Sequence, residues 1–318
     1  MLANVLLLLL SVFSASTAVI MIKASTTHPV LLASLRLFVA ALVLLPLFLR
    51  DLRRHRGAYT RAHLRASIVP GLMLAVHFMS WVVGARMTPT ANASLIVNLV
   101  PLAMPFFLAW VAHEPLTRRE AVATAVALSG VVILTASDLS LNPTYFAGDL
   151  ISFGSMLFYA LYLALGRRNR TFPTVWLYLV PLYGVAAVAS MAVALLFVNP
   201  IQPYSAREAA LILGLGVVPT VIGHSLLNRA MRVFRGQIVS IVNMGQFVFA
   251  GLMAFVLWRE VPRPSFYVAS ALLACSAWIV ARGALGRQRS LVSRAGLSKL
   301  LPNGHSQTTQ VDHDDRRV

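Results

Sequence analysis

Residues 96–115 read IVNLVPLAMPFFLAWVAHEP, and residues 241–262 read IVNMGQFVFAGLMAFVLWREVP. Each stretch starts with Ile-Val-Asn, continues through an apolar run and ends with a glutamate that a proline follows within two residues. The asparagines, Asn98 and Asn243, are 145 residues apart, and the glutamates, Glu114 and Glu260, are 146 apart. The chain therefore contains an internal repeat, which predicts a fold built from two related halves.

Ten segments of the chain are long and apolar enough to cross a lipid bilayer, which takes a helix of about 20 residues. Backbone groups in lipid must be hydrogen-bonded within the structure, and these segments are too long for barrel strands. We therefore predict an all-α polytopic membrane protein with ten transmembrane helices. They cover approximately residues 3–22, 29–49, 66–85, 90–111, 119–136, 148–166, 173–197, 208–228, 236–258 and 264–282.

The composition excludes other classes of protein. The 318 residues are 58% hydrophobic and 12% charged, with 27 Lys and Arg, 10 Asp and Glu, and a net charge of +17. A soluble domain carries about 25% charged residues, and a nucleic-acid binder presents its basic residues on an otherwise polar fold. Cys275 is the single cysteine, so a disulfide-built secreted domain is also excluded.

Each repeat contains five predicted helices, so the second half must enter the membrane from the opposite side. We assign residues 1–137 to the first repeat, 148–283 to the second, and 284–318 to a basic, disordered cytoplasmic tail. Inverted repeats are typical of secondary transporters, whose substrate site lies between the halves. Residues 3–22 also fit a signal peptide. We favour a retained helix, because no Lys or Arg precedes the segment and its removal would break the symmetry.

The basic residues predict the orientation, since cytoplasmic loops are enriched in Lys and Arg. With the N-terminus inside, most of the 27 basic residues fall in cytoplasmic loops and the tail. Both termini are therefore predicted to be cytoplasmic. The exceptions are Arg36, within the second span, and the external Lys23, Arg86, Arg207, Arg259 and Arg263.

Polar side chains recur at helical spacing inside several spans, and residues at such spacing share one face. Because amides and imidazoles are unfavourable against lipid, these faces should point inward or line a cavity. Hydrogen bonding between neighbouring helices is the alternative interpretation. The candidates for a substrate cavity are Arg36, His77, Trp81, Asn98, Tyr159, Tyr162, His224, Asn228, Asn243 and Gln246.

Arg36 is the charged candidate, about seven residues or roughly 10 Å from the outer end of its helix. A charge at that depth needs a partner, water or a route to the surface. A structural role would pair it with Asp149 or Glu260, both predicted near the outer face. A functional role would have it attract an anionic group of the substrate.

The order and spacing of several motifs resemble the EamA-like, ten-helix branch of the drug/metabolite transporter superfamily. The resemblance covers about residues 1–283. One departure is Gln246, which aligns with Pro101. The motifs are residues 28–36 (HPVLLASLR), 90–96 (TANASLI) with Pro101 and 114–117 (EPLT), 148–150 (GDL) with 159–162 (YALY), and 219–228 (PTVIGHSLLN), ending at Glu260.

The resemblance implies two five-helix bundles around a central cavity, and a secondary transporter of small polar metabolites such as amino acids. A transporter or flippase of nucleotide- or lipid-linked substrates is the alternative within transport. A non-transporting membrane protein or intramembrane enzyme is the alternative of another class. We find no catalytic or metal-binding motif, and we expect no cofactor and no nucleic acid.

The expected partners are a small-molecule substrate and the bilayer. Small-residue ladders, Ala121-Ala125-Ser129 and Ala271-Cys275, allow close packing within the chain or a homodimer. Because Arg greatly outnumbers Lys, as in GC-rich genomes, we predict a bacterial inner membrane.

Overall fold

The computed structural model describes residues 2–88, 90–138, 143–259, 261–262 and 264–300. Every regular element in these ranges is helical. The helices are α1 (Leu2–Ser16), α2 (Ala18–Ala24), α3 (Pro29–Arg54), α4 (Arg61–Ala66), α5 (Ile68–Met87), α6 (Thr90–Val97), α7 (Val100–Ala112), α8 (Arg118–Asp138), α9 (Phe146–Arg168), α10 (Val175–Ala194), α11 (Ala206–Leu215), α12 (Ser225–Val233), α13 (Gly236–Asn243), α14 (Gln246–Trp258) and α15 (Pro264–Leu300). A short 3₁₀ turn, Pro143–Tyr145, precedes α9, and a π-helical segment, Gly216–His224, joins α11 to α12.

Nine stretches of the described chain are long and apolar enough to cross a membrane. They coincide with nine of the ten predicted spans, and the prediction of an all-helical, polytopic membrane protein is confirmed. The remaining predicted span, 119–136, coincides with the 21-residue helix α8, whose first turn is charged. The nine stretches are Leu2–Ala24, Pro29–Arg54, Arg61–Met87, Ala93–Ala112, Pro143–Arg168, Val175–Ala194, Ala206–Val233, Gly236–Met253 and Pro264–Arg282.

The two repeated stretches are each broken in the middle, although the sequence predicts continuous helices there. The first break, between α6 and α7, contains Asn98, and the second, between α13 and α14, contains Gly245. Pro101 accounts for the first break, because proline lacks the N–H of a helical bond and is well suited to the first turn of a new helix, here α7. The breaks place polar groups of Asn98 and Asn243 within otherwise apolar spans.

The backbone repeats at the ends of these stretches. His113 ends α7 and Arg259 ends α14, both in the left-handed conformation, with φ of 51° and 58°. They are the non-glycine residues with positive φ in the described chain, and they lie 146 residues apart. Each immediately precedes one of the repeated glutamates, so both halves turn out of the membrane in the same way.

Two glycines pack the halves against each other. A Cβ on Gly71 in α5 would lie 2.8 Å from the carbonyl oxygen of Leu182 and 2.9 Å from the Val185 side chain in α10. A Cβ on Gly216 would lie 3.1 Å from the carbonyl oxygen of Arg36 and 2.3 Å from Val39 Cγ1 in α3. The two contacts correspond residue by residue: Gly71 matches Gly216 at an offset of 145, and Arg36 and Val39 match Leu182 and Val185 at an offset of 146. The two halves therefore pack against each other with approximate two-fold symmetry.

Helices α8 and α15 pack together, with Ser276 Oγ donating to the Ala123 carbonyl oxygen at 2.6 Å. The buried face of α8 carries Ala123, Ala127 and Gly130, so the predicted ladder of Ala121, Ala125 and Ser129 faces outward instead. On α15, Ala271 and Cys275 are exposed in the same way.

Residues Met1–Val280 form one compact unit, and a second unit begins at Ala281. The start of the tail predicted to be disordered, 284–300, has a helical backbone. The first proline there is Pro302, which is consistent with the helix continuing to Leu300. Residues 301–318 lie outside the described part.

Candidate functional site

A cavity of about 40 Å³ lies among helices of both halves, larger than the roughly 10–15 Å³ that one water molecule needs. Most of the candidate residues line it. These are Arg36, His77, Trp81, Asn98, Tyr159, His224 and Gln246. Several other lining residues give no signal of a site in the sequence, because their side chains are small or apolar; they include Ala15, Ser16, Ala18, Val19, Phe78 and Ala250.

Arg36 is fully buried beside the cavity. Its Nε and Nη2 atoms donate to Thr220 Oγ1 at 3.0 and 2.8 Å, and its guanidinium lies 4.0 Å from the centre of the Phe78 ring. The Nη1 atom has no hydrogen-bond partner among the described residues. Thr220 could have been found from sequence, since it lies four residues before His224 on one helical face.

One of the two carboxylates predicted to pair with Arg36 lies in the described part of the chain, and it contacts another residue. Asp149 Oδ1 accepts a hydrogen bond from Thr88 Oγ1 at 2.5 Å, and Glu260 lies outside the described residues. Within the described ranges, no carboxylate forms an ion pair with Arg36. Among the described residues, Arg36 contacts a hydroxyl and an aromatic face, which compensate a buried cation only in part.

Imidazole and aromatic rings form part of the cavity wall. The His77 ring stacks on Tyr159 with centroids 4.5 Å apart, and the His224 ring lies 5.0 Å from Phe78. The Ser155 hydroxyl donates to the His77 carbonyl oxygen, so His77 Nδ1 must be the donor to Ser155, at 3.0 Å to its carbonyl oxygen. His77 Nε2 is then the ring nitrogen left as an acceptor.

Three candidates lie behind the lining residues instead of in the wall. Tyr162 and Asn228 are hydrogen-bonded to each other, and Asn228 Nδ2 also donates to the His224 carbonyl oxygen at 2.8 Å. Asn243 Nδ2 donates to the Tyr159 hydroxyl at 3.4 Å and its Oδ1 accepts from Gln246 at 2.9 Å. All three are buried, and they hold lining residues in place.

One polar cluster joins the halves at the end that contains the α7–α8 loop. We call it the Glu114 cluster; it consists of Glu114, Thr117, Glu120, Arg167 and Arg235. Glu114 accepts from Arg167 Nε at 2.7 Å and from the Gly236 N–H at 2.8 Å. Arg235 donates two hydrogen bonds to Glu120. The hydrogen bonding to Glu120 raises the pKa of Arg235 above its usual value.

A second cluster joins the halves through the loop between α2 and α3. We call it the Glu208 cluster; it consists of Ser25, Thr26, Thr27, Arg86 and Glu208. Glu208, the third residue of α11, accepts from the hydroxyls of Ser25 and Thr27, each at 2.7 Å, and from the Thr26 N–H at 3.0 Å. Arg86 donates to the carbonyl oxygens of Thr27 and Ser25 at 2.7 and 2.9 Å.

A known protein family matches each of the two halves of the chain separately. The EamA-like transporter family matches residues 1–136 and 146–282. The chain is 27% identical over 265 residues to the pseudopaline exporter CntI from two strains of Pseudomonas aeruginosa, covering 82% of this chain and 89% of the exporter. A crystal structure matches with a TM-score of 0.71 at 20% identity, over 87% of this chain and 96% of that one.

Proposed function

Because the chain belongs to the EamA-like transporter family, we propose that it is a secondary transporter that exports small polar metabolites, such as amino acids or related compounds. The cavity offers such a solute a cation, imidazoles, amides and aromatic faces. The similarity to an exporter favours outward movement. A nucleotide-linked substrate is less favoured, because Arg36 is the single Lys or Arg among the lining residues that the structure describes.

The observation that carries the proposal is the position of the cavity between two clusters that each cross from one half to the other. Glu114 of the first half binds Arg167 of the second, and Glu208 of the second half binds Ser25 and Thr27 of the first. In alternating access, one half rocks against the other around a fixed site. Each cluster would open in turn, and would expose the cavity to its own side.

The arginine distribution supports an orientation in which the Glu114 cluster faces the cytoplasm, with both termini on that side, in a bacterial inner membrane. In this proposal the Glu208 cluster faces outward. The chain acts without enzymatic chemistry, and its partners are the solute and the lipid. A homodimer would use the outward small residues of α8 and α15.

A flux screen with purified protein tests the proposal. The protein is reconstituted into liposomes, and uptake of a panel of amino acids, amines and organic acids is compared with protein-free liposomes, with and without a pH gradient. We expect saturable flux of at least one small polar compound. Folded protein that moves no compound in the panel would refute the proposed function.

A further inference from the structure

Three buried polar atoms of the cavity lining have no hydrogen-bond partner among the described residues: Arg36 Nη1, Asn98 Oδ1 and His224 Nδ1. The Nη1 atom of Arg36 is a buried donor that lacks an acceptor among the described residues, and Oδ1 of Asn98 is a buried acceptor that lacks a donor. Asn98 Nδ2 donates to the Ser94 carbonyl oxygen at 2.6 Å, which fixes the orientation of the amide. Such buried atoms are normally paired, so an unpaired donor and acceptor beside one cavity indicate a ligand.

We propose that the substrate carries a carboxylate that binds Arg36 and a hydrogen-bond donor, such as an ammonium group, that binds Asn98. The proposal rests on the proposed transport function and names the chemical class of its solute. Thr220 Oγ1 accepts from Nε and from one hydrogen of Nη2, so Nη1 and the second hydrogen of Nη2 remain for the two oxygens of a carboxylate. Planar, two-point binding of this kind is the usual geometry of arginine with carboxylates.

The charge of the site favours a carboxylate over a phosphate group. Arg36 is the one formally charged side chain among the lining residues, and it has no carboxylate partner in the described ranges. A monoanion neutralises it, whereas a phosphate monoester would bring nearly two negative charges to one cation in a low-dielectric site. The bound carboxylate thus supplies a counter-charge that the described residues do not provide.

The other lining groups are suited to the remainder of such a solute. His77 Nε2 is an acceptor, because Nδ1 donates to Ser155, and it can add to Asn98 in holding a donor. The stacked rings of His77 and Tyr159 provide a flat face for the apolar part. A solute with charges of both signs therefore finds a partner for each.

Matched ligands test the inference without any mutation. Binding to the purified wild-type protein is measured by thermal stabilisation, and transport by flux in liposomes, for aliphatic, aromatic and polar amino acids, their amides, their deaminated acids and a small phosphate monoester. A charged hydrogen bond is worth about a 10- to 100-fold change in affinity. We expect the amides to bind about 10- to 100-fold more weakly than the acids, and the deaminated acids about 10-fold more weakly than the amino acids.

The variant Arg36→Gln should weaken binding of the acids by the same factor and leave binding of the amides nearly unchanged. Arg36→Lys, which keeps the charge without the planar fork, should fall between the two. Arg56→Gln, an exposed arginine, is the matched control and should behave as wild type. If Arg36→Gln does not fold, the wild-type ligand pairs still decide the question.

The results separate this inference from the proposed function. Transport in which acids and amides move equally well, or in which the phosphate monoester is preferred, would overturn the carboxylate assignment and leave transport intact. A protein that binds and moves none of the compounds would overturn both.

Discussion

Replacing Glu114 with glutamine should open the cavity from the side that carries this residue. The substitution keeps the shape and one acceptor, which can still serve the Gly236 N–H, but it removes the charge opposite Arg167. The two side chains are 8% and 10% exposed and 2.7 Å apart. A charged hydrogen bond contributes about 1.5–3 kcal/mol, and breaking a buried pair costs about 3–5 kcal/mol. With one bond retained, we expect a loss of about 2–3 kcal/mol.

That loss acts on the closed state alone, because the cluster joins the two halves. The ratio of open to closed forms should therefore rise about 30- to 140-fold. A single reporter cysteine measures this ratio. It is introduced as Ser16→Cys, because Ser16 lines the cavity. The background carries Cys275→Ser, which removes the exposed native thiol. A membrane-impermeant thiol reagent is added to one side of sealed vesicles of known orientation, and the modification rate is recorded.

The matched control is Asp51→Asn, because the Asp51 carboxylate pairs with its neighbour Arg50 at 2.9 Å and does not cross between halves. It should leave the labelling rate unchanged. If Glu114→Gln folds and is labelled from its own side no faster than the parent protein, the cluster does not hold the cavity closed.

Three further predictions use the same framework. Glu208→Gln should raise labelling of the Ser16→Cys reporter from the opposite side, since it weakens bonds to three residues of the other half; labelling from the Glu114 side instead would contradict the assignment. Gly216→Ala should lower stability by about 1–3 kcal/mol, because its Cβ would lie 2.3 Å from Val39 Cγ1. Thermal unfolding in detergent measures this, with Gly184→Ala, where no atom lies within 4 Å, as the control; equal effects would refute the packing argument. Reporter enzymes fused to the C-terminus should give the signal of a cytoplasmic location. A signal from the periplasm would contradict the proposed orientation.

The spans could be predicted from the sequence because lipid imposes one requirement on every helix, a run of about 20 apolar residues. The breaks were harder to see. Asn98 and Gly245 lie inside apolar runs of normal length. A hydropathy profile does not show a backbone turn when the residues on both sides of the turn are apolar. Pro101 was a visible signal, but prolines also occur within intact spans, as Pro46 does in α3.

The sequence indicated many of the residues that line the cavity, but not which side chains they contact. Periodicity places His77 and Trp81 on one face of one helix, but it does not align one helix with another. The sequence therefore suggested Asp149 or Glu260 as partners for Arg36, since opposite charges attract. Asp149 accepts a hydrogen bond from Thr88, and Glu260 lies outside the described residues. Thr220 and Phe78 approach Arg36 from two other helices. Tyr162, Asn228 and Asn243 have suitable chemistry, and neighbouring side chains separate them from the cavity.

The central claim is that solute passes through the cavity between the halves, and blocking that cavity tests it most directly. Ser16→Cys in the Cys275→Ser background is reconstituted, flux of a compound found in the screen is measured, and a bulky thiol reagent is then added. We predict that flux falls to the level of protein-free liposomes and that the compound slows the modification. Complete modification of the cysteine with unchanged flux would contradict the account.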